Sequence, residues 1–325
     1  AGPAGPGVDD SCYCAAIRAC GRGGRPFAAL RLLREMRRDG LAPSAASLSA
    51  AISACAAAGD WERSLALLAA MPREGAVPDV VAYSAAISAC RLGRQPRWAE
   101  WLLEKMDQEL VPPDVVAYSA AISACAEGRR WAQSLRLLGT MRGAGVRPNV
   151  VSYGAAISAC ERGRRWREAL HLLGSMDRDR VAPNAVSYGA AIVACSRADR
   201  WERALEVWAQ LRRGSAAAPR RAGYGAVLLA CARGGRWQES VSLLEEMWDA
   251  SARPDVMSYT AVLSACERAK EWEWAVWLLR DMPRRRVWPD LICGSIAKRA
   301  KHVGRLGRKS RHRRLRRRLA RLAAG

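Results

Sequence analysis

Hydrophobic and polar positions recur along this chain with a period of about 35 residues. The period is marked by cysteines that follow one another at intervals of 35 or 36 residues, namely Cys20, Cys55, Cys90, Cys125, Cys160, Cys195, Cys231 and Cys266. A tyrosine stands seven residues before most of these cysteines, and an isoleucine or leucine stands three residues before each. This i, i+4, i+7 spacing is typical of one face of an α-helix, so each repeat is predicted to begin with a helix.

A second apolar pattern follows each of these predicted helices. Glycine or polar residues interrupt the pattern after the cysteine, and a tryptophan stands six positions after the cysteine in six of the repeats. Leucines follow, and the pattern ends at a methionine or leucine sixteen residues after the cysteine. A proline such as Pro78, Pro113 or Pro148 then separates the unit from the next one. Each repeat is therefore predicted to be a helix–turn–helix unit.

Eight such units are predicted between residues 11 and 290. Because one helix pair cannot bury its apolar face alone, the units must stack, and the predicted fold is all-α, a right-handed α-solenoid. Residues 1–10 are predicted to be a disordered leader and residues 291–325 a basic C-terminal tail. No apolar run reaches the ~20 residues that span a bilayer, so no membrane partner is expected. A monomer is expected.

The net charge of +22 is concentrated at one end of the chain, because 13 of the 53 Lys and Arg residues, and no acid, lie from Lys298 onward. A polyanion, nucleic acid ahead of an anionic membrane, is the expected partner. The tail is interpreted as an RNA-phosphate anchor, with a targeting-like basic patch and a solvated end as the alternatives. The residues assigned to phosphate binding are Arg313, Arg314, Arg316, Arg317 and Arg318.

The regular cysteines are predicted to be small buried apolar residues in a reducing compartment. Equivalent positions on packed neighbouring helices lie about 8–10 Å apart, too far for a disulfide. The chain lacks the H-x-E and C-x-x-C motifs of a zinc deaminase, a phosphate-binding loop of the right spacing and the acidic cluster of a metal-dependent nuclease. We therefore expect no enzymatic activity, no metal and no cofactor.

Residues 78–90, PDVVAYSAAISAC, together with Met106 and the V-x-P-D of residues 111–114, resemble the pentatricopeptide repeat family. The W-x-x-L-G-x-x-Y start of a tetratricopeptide repeat is missing. The resemblance implies binding of single-stranded RNA with one base at each repeat. It also implies a role in organellar RNA processing, stability or translation, in the mitochondrion or chloroplast, with protein partners that supply enzymatic activity.

In that family, the residue after the tyrosine and the residue after the terminal proline select the base. The resemblance implies guanine for repeats two, three and eight, and adenine for repeat four. It implies a weaker adenine preference for repeat five and a weaker guanine preference for repeat seven, where glycine follows the tyrosine. Repeat six departs from the pattern, and Cys14 with Ser44 in repeat one matches no known pairing. The pairs of repeats two to eight are Ser49 with Asp79, Ser84 with Asp114, Ser119 with Asn149, Gly154 with Asn184, Gly189 with Arg220, Gly225 with Asp255, and Thr260 with Asp290. The implied target is purine-rich, roughly 5′-GGAANGG.

An apolar residue two positions before the tyrosine wedges between bases in that family. Met257 fits this role less well than the valines, and Ser11, Ala46 and Ala222 fit it poorly, so repeats two to five are expected to form the best-ordered binding stretch. The candidate wedges are Val81, Val116, Val151 and Val186. The tryptophans are predicted to pack repeats together and not to stack on bases. Two alternative functions stay open: a protein-interaction scaffold that uses the solenoid groove, and a non-specific nucleic-acid binder that acts through the tail.

Overall fold

The computed structural model describes residues 10–214 and 221–306, and within these ranges the secondary structure is helical without a strand. The first helices of successive repeats are α1 (Asp10–Arg22), α3 (Ala45–Ala57), α5 (Val80–Leu92), α7 (Val115–Glu127), α9 (Val150–Arg162), α11 (Ala185–Arg197), α13 (Arg221–Gly234), α15 (Val256–Arg268) and α17 (Leu291–Leu306). The second helices are α2 (Pro26–Arg38), α4 (Trp61–Ala70), α6 (Pro96–Gln108), α8 (Trp131–Gly143), α10 (Trp166–Arg178), α12 (Trp201–Gly214), α14 (Trp237–Asp249) and α16 (Trp272–Arg284). A 3-10 turn, Met71–Glu74, continues α4.

The chain divides into two compact units, residues 1–183 and residues 184–325. Within each unit, the first helices pack directly on the first helices of the neighbouring repeats. Each second helix packs on the first helix of its own repeat and on the first helix that follows it in the unit. Each unit is therefore a two-layer stack of helix–turn–helix repeats, and the predicted all-α solenoid class is confirmed.

The predicted helical face forms the core between the first helices. Ile52, Ile87 and Ile122 are fully buried, and so are the cysteines three residues after them. All cysteines of the described residues are free thiols, and burial raises the pKa of Cys90 and Cys160 to about 12. The interpretation of the regular cysteines as buried apolar residues is confirmed from Cys55 to Cys266, whereas Cys20 is only half-buried.

The tryptophans at the start of the second helices pack against the next repeat. A Cβ atom added at Gly163 would lie only 2.6 Å from Cδ1 of Trp131, so the indole rests on the glycine backbone. The guanidinium of Arg165 covers the same ring at 4.3 Å from its centroid. Trp201 has the same neighbours, Gly234 and Arg236, in the second unit. The prediction that this ladder packs repeats together is confirmed for these tryptophans.

The first part of the predicted tail is a packed helix. Cys293 and Ile296 of α17 are buried, and the helix packs on α15 and α16. Arg299 Nη1 lies 2.7 Å from Glu267 Oε1 of α15. The arginines assigned to phosphate binding, and the predicted leader apart from Asp10, lie outside the described residues. Among the helices of the described ranges, none has the length and apolarity needed to cross a bilayer.

Candidate nucleic-acid interface

The second residue of each predicted pair that the structure describes stands at the start of a first helix. Asp79 Oδ1 accepts a hydrogen bond from the N–H of Ala82 at 2.8 Å, and Asp114 Oδ1 accepts one from Ala117 at 2.8 Å. Such caps satisfy N–H groups that have no partner within the helix, and a negative charge there is favoured by the helix dipole. The cap therefore holds the carboxylate in a fixed place.

The cap at the last repeat uses the same geometry. Asp290 Oδ1 accepts from the N–H of Cys293 at 2.8 Å. This backbone hydrogen bond from Cys293 stabilises the charged form and lowers the pKa of Asp290 below its ordinary value. Asp290 therefore offers an ionised acceptor at neutral pH.

Two of the predicted pairs are in direct hydrogen-bond contact. Ser49 Oγ donates to Asp79 Oδ1 at 3.2 Å, and Ser84 Oγ donates to Asp114 Oδ1 at 3.2 Å, although each pair is 30 residues apart in sequence. Within the described part of the chain, Oδ2 of Asp79 and Oδ2 of Asp114 accept no hydrogen bond. Each site thus holds one orientated carboxylate with an acceptor oxygen that is not used by the fold.

The pair of repeat four has a different arrangement. Asn149 Oδ1 accepts from the backbone N–H of Val151 at 3.0 Å and of Ser152 at 2.9 Å, and Ser152 completes a capping box. The hydroxyl of Ser119 is buried and has no hydrogen-bond partner among the described residues. Since the amide oxygen is turned to the helix, the amide nitrogen of Asn149 is the group left to donate.

The remaining pairs are brought together to different extents. Thr260 Oγ1 donates to the carbonyl of Val256 at 2.7 Å and lies 3.4 Å from Cys293 Sγ, so it is not bonded to Asp290. Gly154 lies in the first unit and its predicted partner Asn184 in the second, so these two residues form no pair within one unit. Arg220, the predicted partner of Gly189, lies outside the described residues.

Grooves between first helices contain the predicted pairs and wedges together. A cavity of about 780 Å³ is lined by Gly225, Asp255, Met257 and Thr260, together with Arg268. A similar cavity of about 740 Å³ is lined by Ser49, Asp79 and Val81, together with Arg18 and Arg22. Each groove therefore combines an orientated carboxylate, an apolar side chain and basic groups that suit an anionic ligand.

The candidate wedge residues are exposed apolar side chains on the first helices. Their exposed fractions are 60% for Val81, 57% for Val116, 61% for Val151 and 65% for Val186. Ile292, which was assigned to the tail, stands two residues after the cap Asp290, as Val81 does after Asp79, and is 54% exposed. The shared Pro-Asp before both residues was the sequence signal that could have found it.

Hydrogen bonds from the buried tyrosines to carboxylates were not predicted from sequence. Tyr83 donates to Glu109 Oε2 at 2.5 Å, and Tyr224 donates to Glu246 Oε1 at 3.0 Å. Burial and the neighbouring carboxylate raise the pKa of Tyr224 to about 12. Each bond ties the first helix to the end of the second helix in the same repeat. The sequence feature that could have predicted these bonds is an acidic residue 22 or 26 positions after the tyrosine.

Arginines near the ends of the first helices join neighbouring repeats. Arg162 Nη1 donates to the carbonyl of Ala126 at 3.1 Å, and Arg268 Nη1 donates to the carbonyl of Arg233 at 2.9 Å. Both carbonyls lie in the last turn of the preceding first helix, where a positive charge is favourable. These contacts hold the first helices, and therefore the grooves, in register.

Models of known protein families match most of this chain. A family model described as pentatricopeptide repeat domain matches residues 31–94, 66–129, 101–163, 136–198 and 242–293. A second model, described as PPR repeat, matches residues 11–41, 186–214 and 223–251. The chain belongs to the pentatricopeptide repeat family. The resemblance read from the sequence is confirmed.

Solved structures of pentatricopeptide repeat proteins share the fold. The crystal structure of PPR10 from maize aligns with a TM-score of 0.64 at 25% identity, over 91% of this chain and 44% of PPR10. PPR10 in complex with an 18-nt psaJ RNA element aligns at 0.50 and 18% identity, over 85% of this chain and 45% of that one. The PPR domain of Arabidopsis thaliana protein-only RNase P 1 in complex with tRNA aligns at 0.50 and 17%, over 56% of this chain and 95% of that domain. The chain thus spans less than half of PPR10, and comparison with curated proteins gives no significant match.

Proposed function

We propose that this pentatricopeptide repeat protein binds single-stranded RNA with a sequence preference, one base at each repeat. The observation that carries the proposal is the repeated hydroxyl–carboxylate pair, Ser49 with Asp79 and Ser84 with Asp114, at the same 3.2 Å distance. Relatives support it, because PPR10 has been solved with an RNA element and the PPR domain of protein-only RNase P 1 with tRNA. The exposed valines beside these pairs supply apolar area for contact with a base.

The chemistry of the pairs favours purines. An aspartate oxygen accepts from the N–H groups on the Watson–Crick edge of guanine, whereas the amide nitrogen of Asn149 donates, which suits the ring-nitrogen acceptor on the same edge of adenine. These edges are available only when the bases are unpaired, which selects a single strand. For repeats two to eight the proposed target is roughly 5′-GGAANGG.

The proposed biological role is that of an RNA-binding adaptor in organellar RNA processing, stability or translation, in the mitochondrion or chloroplast. The repeated thiols do not suit nucleophilic chemistry, because burial raises the pKa of Cys90 and Cys231 to about 12 and keeps them protonated. Protein partners are proposed to supply any bond-breaking step. The family membership supports this role.

A two-residue exchange in repeat four tests the proposal. The variant Ser119→Asn with Asn149→Asp should move the preference at the third target base from adenine to uracil, by about tenfold in relative affinity, because the pair of groups that meets the base is replaced. The measurement is sequencing of RNA retained from a randomised single-stranded pool.

The control is Thr140→Ala on the outer side of α8, where the hydroxyl bonds only to the carbonyl of Arg136. This variant should keep the adenine preference. An unchanged preference in the exchanged variant would contradict the reading of repeat four. Absence of RNA binding in every form would overturn the proposed function and leave the interaction scaffold.

A further inference from the structure

The predicted pair of repeat one contains no carboxylate, but the structure places one beside it. Cys14 follows the tyrosine and Ser44 follows the terminal proline, and neither is an acid. Ser44 Oγ donates to Asp10 Oδ1 at 3.0 Å, and Cys14 Sγ donates to the same oxygen at 3.4 Å. Asp10, the first residue of α1, therefore brings a carboxylate oxygen into contact with both members of the pair.

The contact resembles the one in repeat two, with the roles of the two helices exchanged. In repeat two the cap Asp79 is the carboxylate, and the hydroxyl of Ser49 comes from the preceding first helix. In repeat one the cap supplies the hydroxyl, because Ser44 Oγ accepts from the N–H of Ser47 at 3.3 Å and donates to Asp10 of the preceding first helix. In both repeats one hydroxyl–carboxylate hydrogen bond joins neighbouring first helices.

The position of Asp10 is fixed by the helix and leaves the carboxylate accessible. Asp10 and Cys14 are four residues apart, so they are neighbours on one face of α1. Burial raises the pKa of Cys14 above its ordinary value, so the thiol stays protonated and can donate. Asp10 and Ser44 are only half-buried. A carboxylate has about four acceptor sites on its two oxygens, and both of these contacts fall on Oδ1.

We propose that Asp10 is a specificity-determining residue of repeat one and that it selects a guanine on the 5′ side of 5′-GGAANGG. Guanine presents two adjacent N–H donors on its Watson–Crick edge, which match the acceptor sites of a carboxylate, whereas adenine places an acceptor beside its amino group. The inference rests on the proposed function, since the selected ligand is an RNA base. It extends the target to roughly 5′-GGGAANGG.

Asp10 lies outside the two positions that the repeat pattern assigns to base selection. It stands three residues before Tyr13, and the corresponding residues of the next three repeats are Ala45, Val80 and Val115. The carboxylate is therefore specific to repeat one in this part of the chain, and the repeat tolerates a neutral side chain at the same place. Substitution of Asp10 can accordingly test base selection without disturbing the helix.

The test uses the full chain and four RNAs, 5′-XGGAANGG with the same base at N, that differ only at X. Asp10→Asn should lower the preference for guanine at X about tenfold, because a hydrogen bond to a charged group is lost. The triple variant Asp10→Ala, Cys14→Ser and Ser44→Asp rebuilds the pair of repeats two and three and should regain the preference. Dissociation constants are measured by fluorescence anisotropy.

The matched control is Asp60→Asn at the start of α4, where the carboxylate accepts from the N–H of Arg63. It removes the same charge, which should strengthen binding of all four RNAs alike, and should keep the preference for guanine.

Two outcomes would overturn the role of Asp10 alone. One is a wild-type chain that prefers the target to a scrambled RNA but binds the four RNAs equally. The other is an Asp10→Asn variant that changes the affinity for all four by the same factor, since Asp10 would then only hold α1 on α3. A wild-type chain that does not distinguish the target from the scrambled RNA overturns the proposed function, and this inference with it.

Discussion

At the scale of single residues, the same side chain has different tasks in successive repeats. Ser84 and Ser119 both follow the tyrosine that recurs in the repeats, and both were predicted to select a base. Ser84 is bonded to its cap partner Asp114, while Ser119 is not bonded to Asn149. The positions of these serines could be predicted because they recur at a fixed place in the repeat, directly after the tyrosine. The hydrogen bonds were not, because the residue that decides them belongs to the next helix.

The buried thiols predict how stability depends on pH. Burial raises the pKa of Cys90, Cys160 and Cys266 from 9.0 to about 12, so the folded chain keeps these protons where the unfolded chain loses them. The stability is complete below pH 9 and is lost as the pH rises towards 12. Each thiol contributes a loss of about 1.4 kcal/mol per pH unit in that window.

Urea unfolding between pH 8 and pH 11 in the presence of a reductant measures this loss. Cys160→Ala should lower the free energy of unfolding at pH 8. It should also reduce the decrease of that free energy with rising pH by the contribution of one thiol. A slope that is the same in the variant would show that the Cys160 thiol does not ionise on unfolding.

At the scale of helices, the ends were predicted well where a single residue type marks them. Trp131, Trp166 and Trp201 each begin a second helix, and Pro96 takes this place in α6, as is tolerated in a first turn. The pattern ends at Met71, next to the observed end of α4 at Ala70, but the 3-10 turn Met71–Glu74 that follows was not predicted, because Pro72 and Gly75 lie outside the periodic pattern. Contacts between helices decide the remaining details.

The contact between repeats through Trp131 gives a prediction of stability. Gly163→Ala should destabilise the fold by about 1–3 kcal/mol, because the added Cβ would approach Cδ1 of Trp131 to 2.6 Å and force the indole to move. Gly174→Ala is the matched control, since a Cβ there meets nothing within 4 Å.

The control variant should gain about 0.5–1 kcal/mol from the better helix propensity of alanine. Chemical denaturation of both variants against the wild type measures the difference. Equal effects at Gly163 and Gly174 would show that Trp131 does not pack on the next repeat.

At the scale of the whole molecule, two features are proposed to contribute affinity for RNA, the grooves and the charge after α17. Residues 307–325 carry nine Lys or Arg residues and no acid. Removal of 307–325 leaves the described helix α17, Leu291–Leu306, intact. The two contributions can therefore be separated by one truncation.

The truncated chain should bind RNA more weakly at low salt and keep its preference among sequences. Loss of up to nine phosphate contacts would lower the slope of log affinity against log salt by up to about six. Binding at two salt concentrations, to a purine-rich RNA and to a scrambled one, measures both quantities. A truncated chain that no longer distinguishes the two RNAs would show that the grooves do not select sequence.

The sequence by itself determined the all-α repeat class, the length of the repeat, the helical face that is buried and the positions of the candidate pairs. It could do so because each repeat contacts only its neighbours, and the periodic pattern therefore carries the packing. The tertiary structure alone decided which hydroxyl meets each cap oxygen, how Trp131 rests on Gly163, and that α17 packs on α15 and α16. These contacts join residues from different helices, and their distances depend on how the helices stack.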